Sequence, residues 1–177
     1  MAAQFGHTDV MEAIIGAEAD VDAAFGDGST ALHFAASNGE VGAVDALIKA
    51  GANTEMKNDA NHTPLLAAAG QEAFETMCAL LRHGADPNAK YSLGDTVLHL
   101  ICTSPKGGFE AVVEELLRRG ADNTILDWDG CTPAGNLDVA REFFGLHAEE
   151  EYARPEEIQR VRMMLQKRAP GGKKRKK

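Results

Sequence analysis

Short apolar segments follow one another along this chain in pairs, and the pairs return at a fixed spacing. Ser29-Thr30-Ala31-Leu32-His33-Phe34-Ala35-Ala36-Ser37-Asn38-Gly39 leads into a second apolar segment, 41–50, which stops at Gly51-Ala52. Thirty-three residues on, His62-Thr63-Pro64-Leu65-Leu66-Ala67-Ala68-Ala69 opens a pair that closes with Leu80-Leu81-Arg82-His83-Gly84-Ala85. Thirty-three further, Asp95-Thr96-Val97-Leu98-His99 opens a third, closing with Leu116-Leu117-Arg118-Arg119-Gly120-Ala121. Repetition at this period predicts a stack of small units rather than one globule.

Within a unit each position has a physical task. Thr30, Thr63, Thr96 and Thr132 stand where a hydroxyl accepts an amide hydrogen bond at the start of a helix. Pro64 and Pro133 take the first helical position, where a missing N–H is harmless. The pairs Ala35-Ala36 and Ala68-Ala69 let a neighbouring helix approach closely, and Gly51, Gly84 and Gly120 supply left-handed caps that stop the second helix. The polar, glycine-bearing residues between units read as tight hairpins.

These motifs resemble the ankyrin repeat, whose signature Thr-Pro-Leu-His-x-Ala and closing Gly-Ala recur here from about residue 2 to residue 144. The resemblance implies an all-α solenoid of antiparallel helix pairs with projecting β-hairpin fingers, and a non-catalytic module that binds another protein. Ala31 and Val97 stand in place of Pro, Leu66 in place of His, and Ile101-Cys102 in place of the alanine pair. Looser capping and helix contacts are therefore expected in the fourth unit. Asn88 resembles the hairpin asparagine that oxygenases hydroxylate in some ankyrin proteins, beside its plainer reading as a turn residue.

The repeat alignment divides the chain into a truncated first unit (1–24), repeats at 25–57, 58–90 and 91–126, a degenerate terminal unit with a closing helix (127–168), and a basic tail (169–177). The first unit lacks its finger, so either a short cap has evolved or the chain is a fragment of a longer array. The fourth unit is three residues longer, with the excess near Ser104-Pro105-Lys106-Gly107-Gly108, either a neutral surface insertion or a contact loop. Pro155-Glu156-Glu157 signals a helix with Ile158, Val161, Met164 and Leu165 on one face, which closes the open end of the stack or binds a partner.

Charge refines this picture. The net charge is −9, and removing Lys173, Lys174, Arg175, Lys176 and Lys177 from that balance leaves −14 for residues 1–172. An acidic body repels nucleic acid and anionic membranes, whereas the tail can act as a nuclear localisation signal, touch nucleic acid, or merely solubilise. No apolar run approaches the ~18 residues of a membrane span and no secretory signal is visible. Three scattered cysteines, Cys78, Cys102 and Cys131, suit a reducing compartment. The expectation is an intracellular monomer, cytoplasmic and/or nuclear.

Candidate chemistry is sparse. No phosphate-binding loop, zinc-protease motif or nucleophile elbow occurs, and His33 and His99 belong to the repeat motif, so no catalytic residue, metal ligand or cofactor is assigned. Recognition is the better prospect. The fingers, 24–29, 57–62, 90–95 and 126–131, carry Phe25, Asp27, Ser29, Asp59, His62, Tyr91, Ser92, Asp95, Trp128 and Asp129. Phe25, Tyr91 and Trp128 are expected to anchor a partner, with the carboxylates favouring a basic or mixed surface. Ser37, Asn38, Gln71 and Thr103, read as inner-helix starts, complete the expected concave surface. The leading reading is a protein-binding scaffold or adaptor. Its alternatives are a nucleic-acid-associated regulator using the tail, and the regulatory part of a larger enzyme.

Overall fold

The structure is a computed structural model and describes residues 20–91, 94–104, 108–137 and 155–167. The first unit up to residue 19, Ser92, the insertion at 105–107 and the basic tail lie outside the described residues.

Helices come in pairs: α1 (Ala31–Ser37) with α2 (Val41–Lys49), α3 (Pro64–Gly70) with α4 (Phe74–Arg82), and α5 (Val97–Thr103) with α6 (Glu110–Arg118). A further helical stretch covers 133–137, and α7 spans Pro155–Lys167. The pairs stack in two rows. In the inner row α1 packs on α3 and α3 on α5; in the outer row α2 packs on α4 and α4 on α6. The core runs continuously between the rows, from Leu32, Val44 and Leu47 through Leu65, Leu66, Met77 and Leu80 to Leu98, Val112, Val113 and Leu116. Ala35, Ala36, Ala68 and Ala69 are buried where the inner helices meet, and larger side chains there would force them apart.

The helix starts are capped in two ways. Thr63 Oγ1 accepts the Leu66 amide at 3.4 Å and Thr132 Oγ1 accepts that of Gly135 at 3.2 Å. At Thr30 and Thr96 the cap is reciprocal, because a histidine stands three residues on: His33 Nδ1 and His99 Nδ1 each accept the threonine amide at 3.1 Å. The fourth unit, expected to be looser, thus has a complete cap, and Ile101 and Cys102 are buried in place of the alanine pair. The outer helices stop at Gly51, Gly84 and Gly120, with φ of 97°, 92° and 95° that a side chain would strain.

Each finger tip closes on itself. The amides of Phe25, Asn58, Tyr91 and Asp127 donate to the carbonyls of Ser29, His62, Asp95 and Cys131 at 2.8–3.1 Å, and the chain reverses through Gly28, Asn61, Gly94 and Gly130, all left-handed. Among the described residues the only antiparallel bridge is Lys90 to Thr96. The hairpins are therefore made of turns, because carboxylate and amide side chains take the amides that a ladder would use. Asp27 accepts from Ser29, Asn58 from Ala60 and His62, and Asp127 from Cys131.

At the C-terminal end α7 lies against α6, continuing the outer row, with Val161 and Leu165 buried and Ile158 and Met164 partly so. Glu157 accepts the amides of Gly108 at 2.7 Å and Glu110 at 3.4 Å, Arg160 pairs with Glu110 at 3.0 Å, and Asn123 donates to the Leu165 carbonyl. Among the described residues no helix is long and apolar enough to cross a membrane.

Candidate protein-binding surface

The fingers are tied to one another by side chains that repeat with the units. His33 Nδ1 accepts from Thr30, so Nε2 carries the proton and donates to the His62 carbonyl at 2.9 Å. A charged imidazole would turn an N–H toward the Thr30 amide, and burial accordingly holds the His33 pKa below its ordinary value. His99 has the same geometry toward the Cys131 carbonyl at 3.3 Å. Leu66 stands at the corresponding place in the unit between them. There the His62 and Tyr91 rings meet at a tilt of 52°, centroids 4.0 Å apart, and join the second and third fingers. Asp59 N donates to the Asp27 carbonyl at 3.0 Å, and Asn58 donates to the Ser29 hydroxyl at 3.2 Å.

A second ladder runs along the finger bases. Asp22, Glu55 and Asn88, at equal spacing, accept the amides of Asn53, Asp86 and Asp122 at 3.0, 3.0 and 2.7 Å. Asn88 also donates to the Gly120 carbonyl at 3.2 Å, so both ends of its amide bridge neighbouring units.

On this tied row some side chains remain exposed. Trp128 is 78% exposed, Leu126 57% and Phe25 56%, the last meeting Phe34 edge to face at 5.4 Å. Phe34, Ala67 and Leu100 recur at one position of the inner helices and are half-buried, a shallow apolar stripe on the side away from the outer row. Asp27, Asp59 and Asp129 are exposed. Hydrogen bonds from the Ser29 amide and hydroxyl hold Asp27 below its ordinary pKa, whereas partial burial, then the carboxylates of Asp127 and Asp129, raise that of Asp95.

This sequence of paired short helices, tied finger by finger, agrees with what family models find: ankyrin repeats (3 copies) match residues 1–91 and a further ankyrin repeat matches 93–128. The chain belongs to the ankyrin repeat family. No curated protein matches it. Ankyrin repeats are generally protein–protein interaction modules and are typically non-catalytic. In this ankyrin protein burial pushes the Cys102 pKa up to about 12 and raises that of Cys78, which disfavours the thiolate at both.

The ankyrin frame reassigns several expected contact residues. Ser29 is only 5% exposed and bonded to Asp27 and Asn58, so it secures the fingers. His62 and Tyr91 are half-buried against each other, and Tyr91 lies over Gly70, where an added Cβ would come within 3.4 Å of its hydroxyl. Ser37, Asn38, Gln71 and Thr103 stand at the C-terminal ends of the inner helices, not their starts: Ser37 and Thr103 are the last residues of α1 and α5, and Asn38 and Gln71 directly follow α1 and α3. They lie about 10 Å along the helix from the fingers, and Ser37, Asn38 and Thr103 bond to helix carbonyls. Phe25, Asp27, Asp59, Asp95, Trp128 and Asp129 remain on the finger side. The sequence reading missed Leu126, Phe34 and Leu100; the first is an apolar residue in a polar finger, and the other two recur at repeat spacing.

Proposed function

We propose that this ankyrin repeat protein is a non-catalytic scaffold that binds a basic or mixed protein segment along its fingers and inner stripe. The observation that carries the reading is the exposure of Trp128, Leu126 and Phe25 on fingers held in register by their neighbours. Exposed aromatic side chains beside carboxylates suit a partner that presents both apolar and cationic groups. The tail, Lys173–Lys177, supports work in the nucleus as an import signal, and the −14 charge of residues 1–172 argues against the repeats themselves holding nucleic acid.

Immobilised chain, compared with Phe25→Ala/Trp128→Ala, tests this by quantitative capture from cell extract. A hot-spot pair at about 2 kcal/mol or more should lower capture of specific partners by roughly thirty-fold, with the melting temperature unchanged because neither residue is in the core. Equal capture by both chains would remove the finger surface from the reading.

A further inference from the structure

Two features of this chain have charges and places that match. The fourth finger exposes Leu126 and Trp128 beside Asp127 and Asp129, and Asp95 on the third finger is close enough to feel both carboxylates. The other feature is the basic run that follows α7. We propose that Lys173–Lys177 docks on the fourth finger of its own chain, over Trp128 and Leu126 and beside Asp95, Asp127 and Asp129.

Reach makes the fourth finger the nearest one to the tail. Asn123 holds the carbonyl of Leu165, near the end of α7, and from Asn123 to Asp127 the chain spans at most about 14 Å. From Lys167, where α7 ends, an extended chain covers roughly 20 Å to Lys173 and roughly 34 Å to Lys177. The fourth finger is therefore within range. Asp27 and Asp59 stand on the first two fingers, each further unit adding about 10 Å of stack. Charge points the same way: partial burial and two neighbouring carboxylates disfavour the ionised form of Asp95, and an adjacent ammonium or guanidinium relieves that repulsion. Arg175 or a lysine placed over the Trp128 ring adds a cation–π contact. A short tether gives an effective concentration on the order of millimolar, so a contact too weak to matter between separate molecules is populated within one chain.

The tail then covers the surface on which the proposed function rests and must be displaced by a basic partner. The test needs no partner, so the two readings fail separately. Trp128 is the single tryptophan, and its quenching by acrylamide reports directly on what covers it. In low salt the full chain should be quenched less than a chain ending at Ala169, and 1 M salt should bring the two together, since the screening length falls to about 3 Å. Asp95→Asn/Asp129→Asn should quench like the truncated chain, and a peptide of residues 168–177 at about millimolar concentration should restore protection to it. Equal quenching of full and truncated chains in low salt overturns the proposal. So does a difference that survives both 1 M salt and the double substitution, or protection that disappears on dilution, which would place the tail on a second molecule.

Discussion

At the scale of single residues, one buried side-chain polar atom among the described residues has nothing to bond. Thr76 Oγ1 is buried without a hydrogen-bond partner, while the equivalent positions in the neighbouring outer helices are the buried Ala43 and Val112. A desolvated, unpaired hydroxyl costs about 1–3 kcal/mol, and valine has nearly the shape of threonine. Thr76→Val should therefore stabilise the protein by about 1 kcal/mol, read as a higher urea midpoint at unchanged slope. His33 acts in the opposite sense as pH falls. Its folded-state pKa is depressed by burial, so the unfolded chain takes up the proton first; the stability is present above the ordinary value of 6.5 and is lost as pH falls through it toward the folded value. His62 is shifted the same way, by burial and by His33. Urea titrations at pH 7.5 and 5.5 should show lower stability at the lower pH, and His33→Leu, which copies Leu66, should shrink the difference. The depressed carboxylates of Asp27, Glu115 and Asp122 enter only in more acidic solution, below their ordinary values of 3.8 to 4.5.

At the scale of elements, what could be read from the chain alone was whatever repeats or acts within a few residues. The threonine caps, the stopping glycines and the alanine pairs are local, so their chemistry fixes their place before any tertiary contact forms. The apolar face of α7 was legible for the same reason, since Ile158, Val161, Met164 and Leu165 follow helical spacing. Contacts between distant residues left no such trace. Glu157 looked like a helix-start carboxylate of α7, yet it is buried and caps α6 instead, and nothing in the spacing joins it to Gly108 and Glu110. Tyr91 looked like an exposed anchor because the fingers project. The absence of a histidine at Leu66 leaves its finger to be held by the His62 ring, which draws Tyr91 inward. Polar residues beside a short apolar run mark either helix boundary equally well, so the spacing suggests starts where Ser37, Gln71 and Thr103 in fact lie at the ends of the inner helices.

At the scale of the whole molecule, the helix pairs among the described residues pack chiefly on their neighbours, and stability should be distributed the same way. The outer row ends on α7, whose Leu165 is fully buried and whose carbonyl is held by Asn123. Truncating a buried leucine costs about 2–5 kcal/mol. In a single globule that loss would be shared by every slowly exchanging amide, since all would open together. In a stack governed by nearest-neighbour interfaces it is felt first where α7 covers α6, and opening can propagate inward one unit at a time. Leu165→Ala should therefore speed amide exchange in α6 and in 133–137 by roughly thirty-fold or more, the equivalent of about 2 kcal/mol, while α1 and α2 change far less. Native-state hydrogen exchange resolved by residue would measure the gradient. A uniform increase from α1 to α6 would mean that the histidine links and the ladder of Asp22, Glu55 and Asn88 along the finger bases couple the units into one cooperative block.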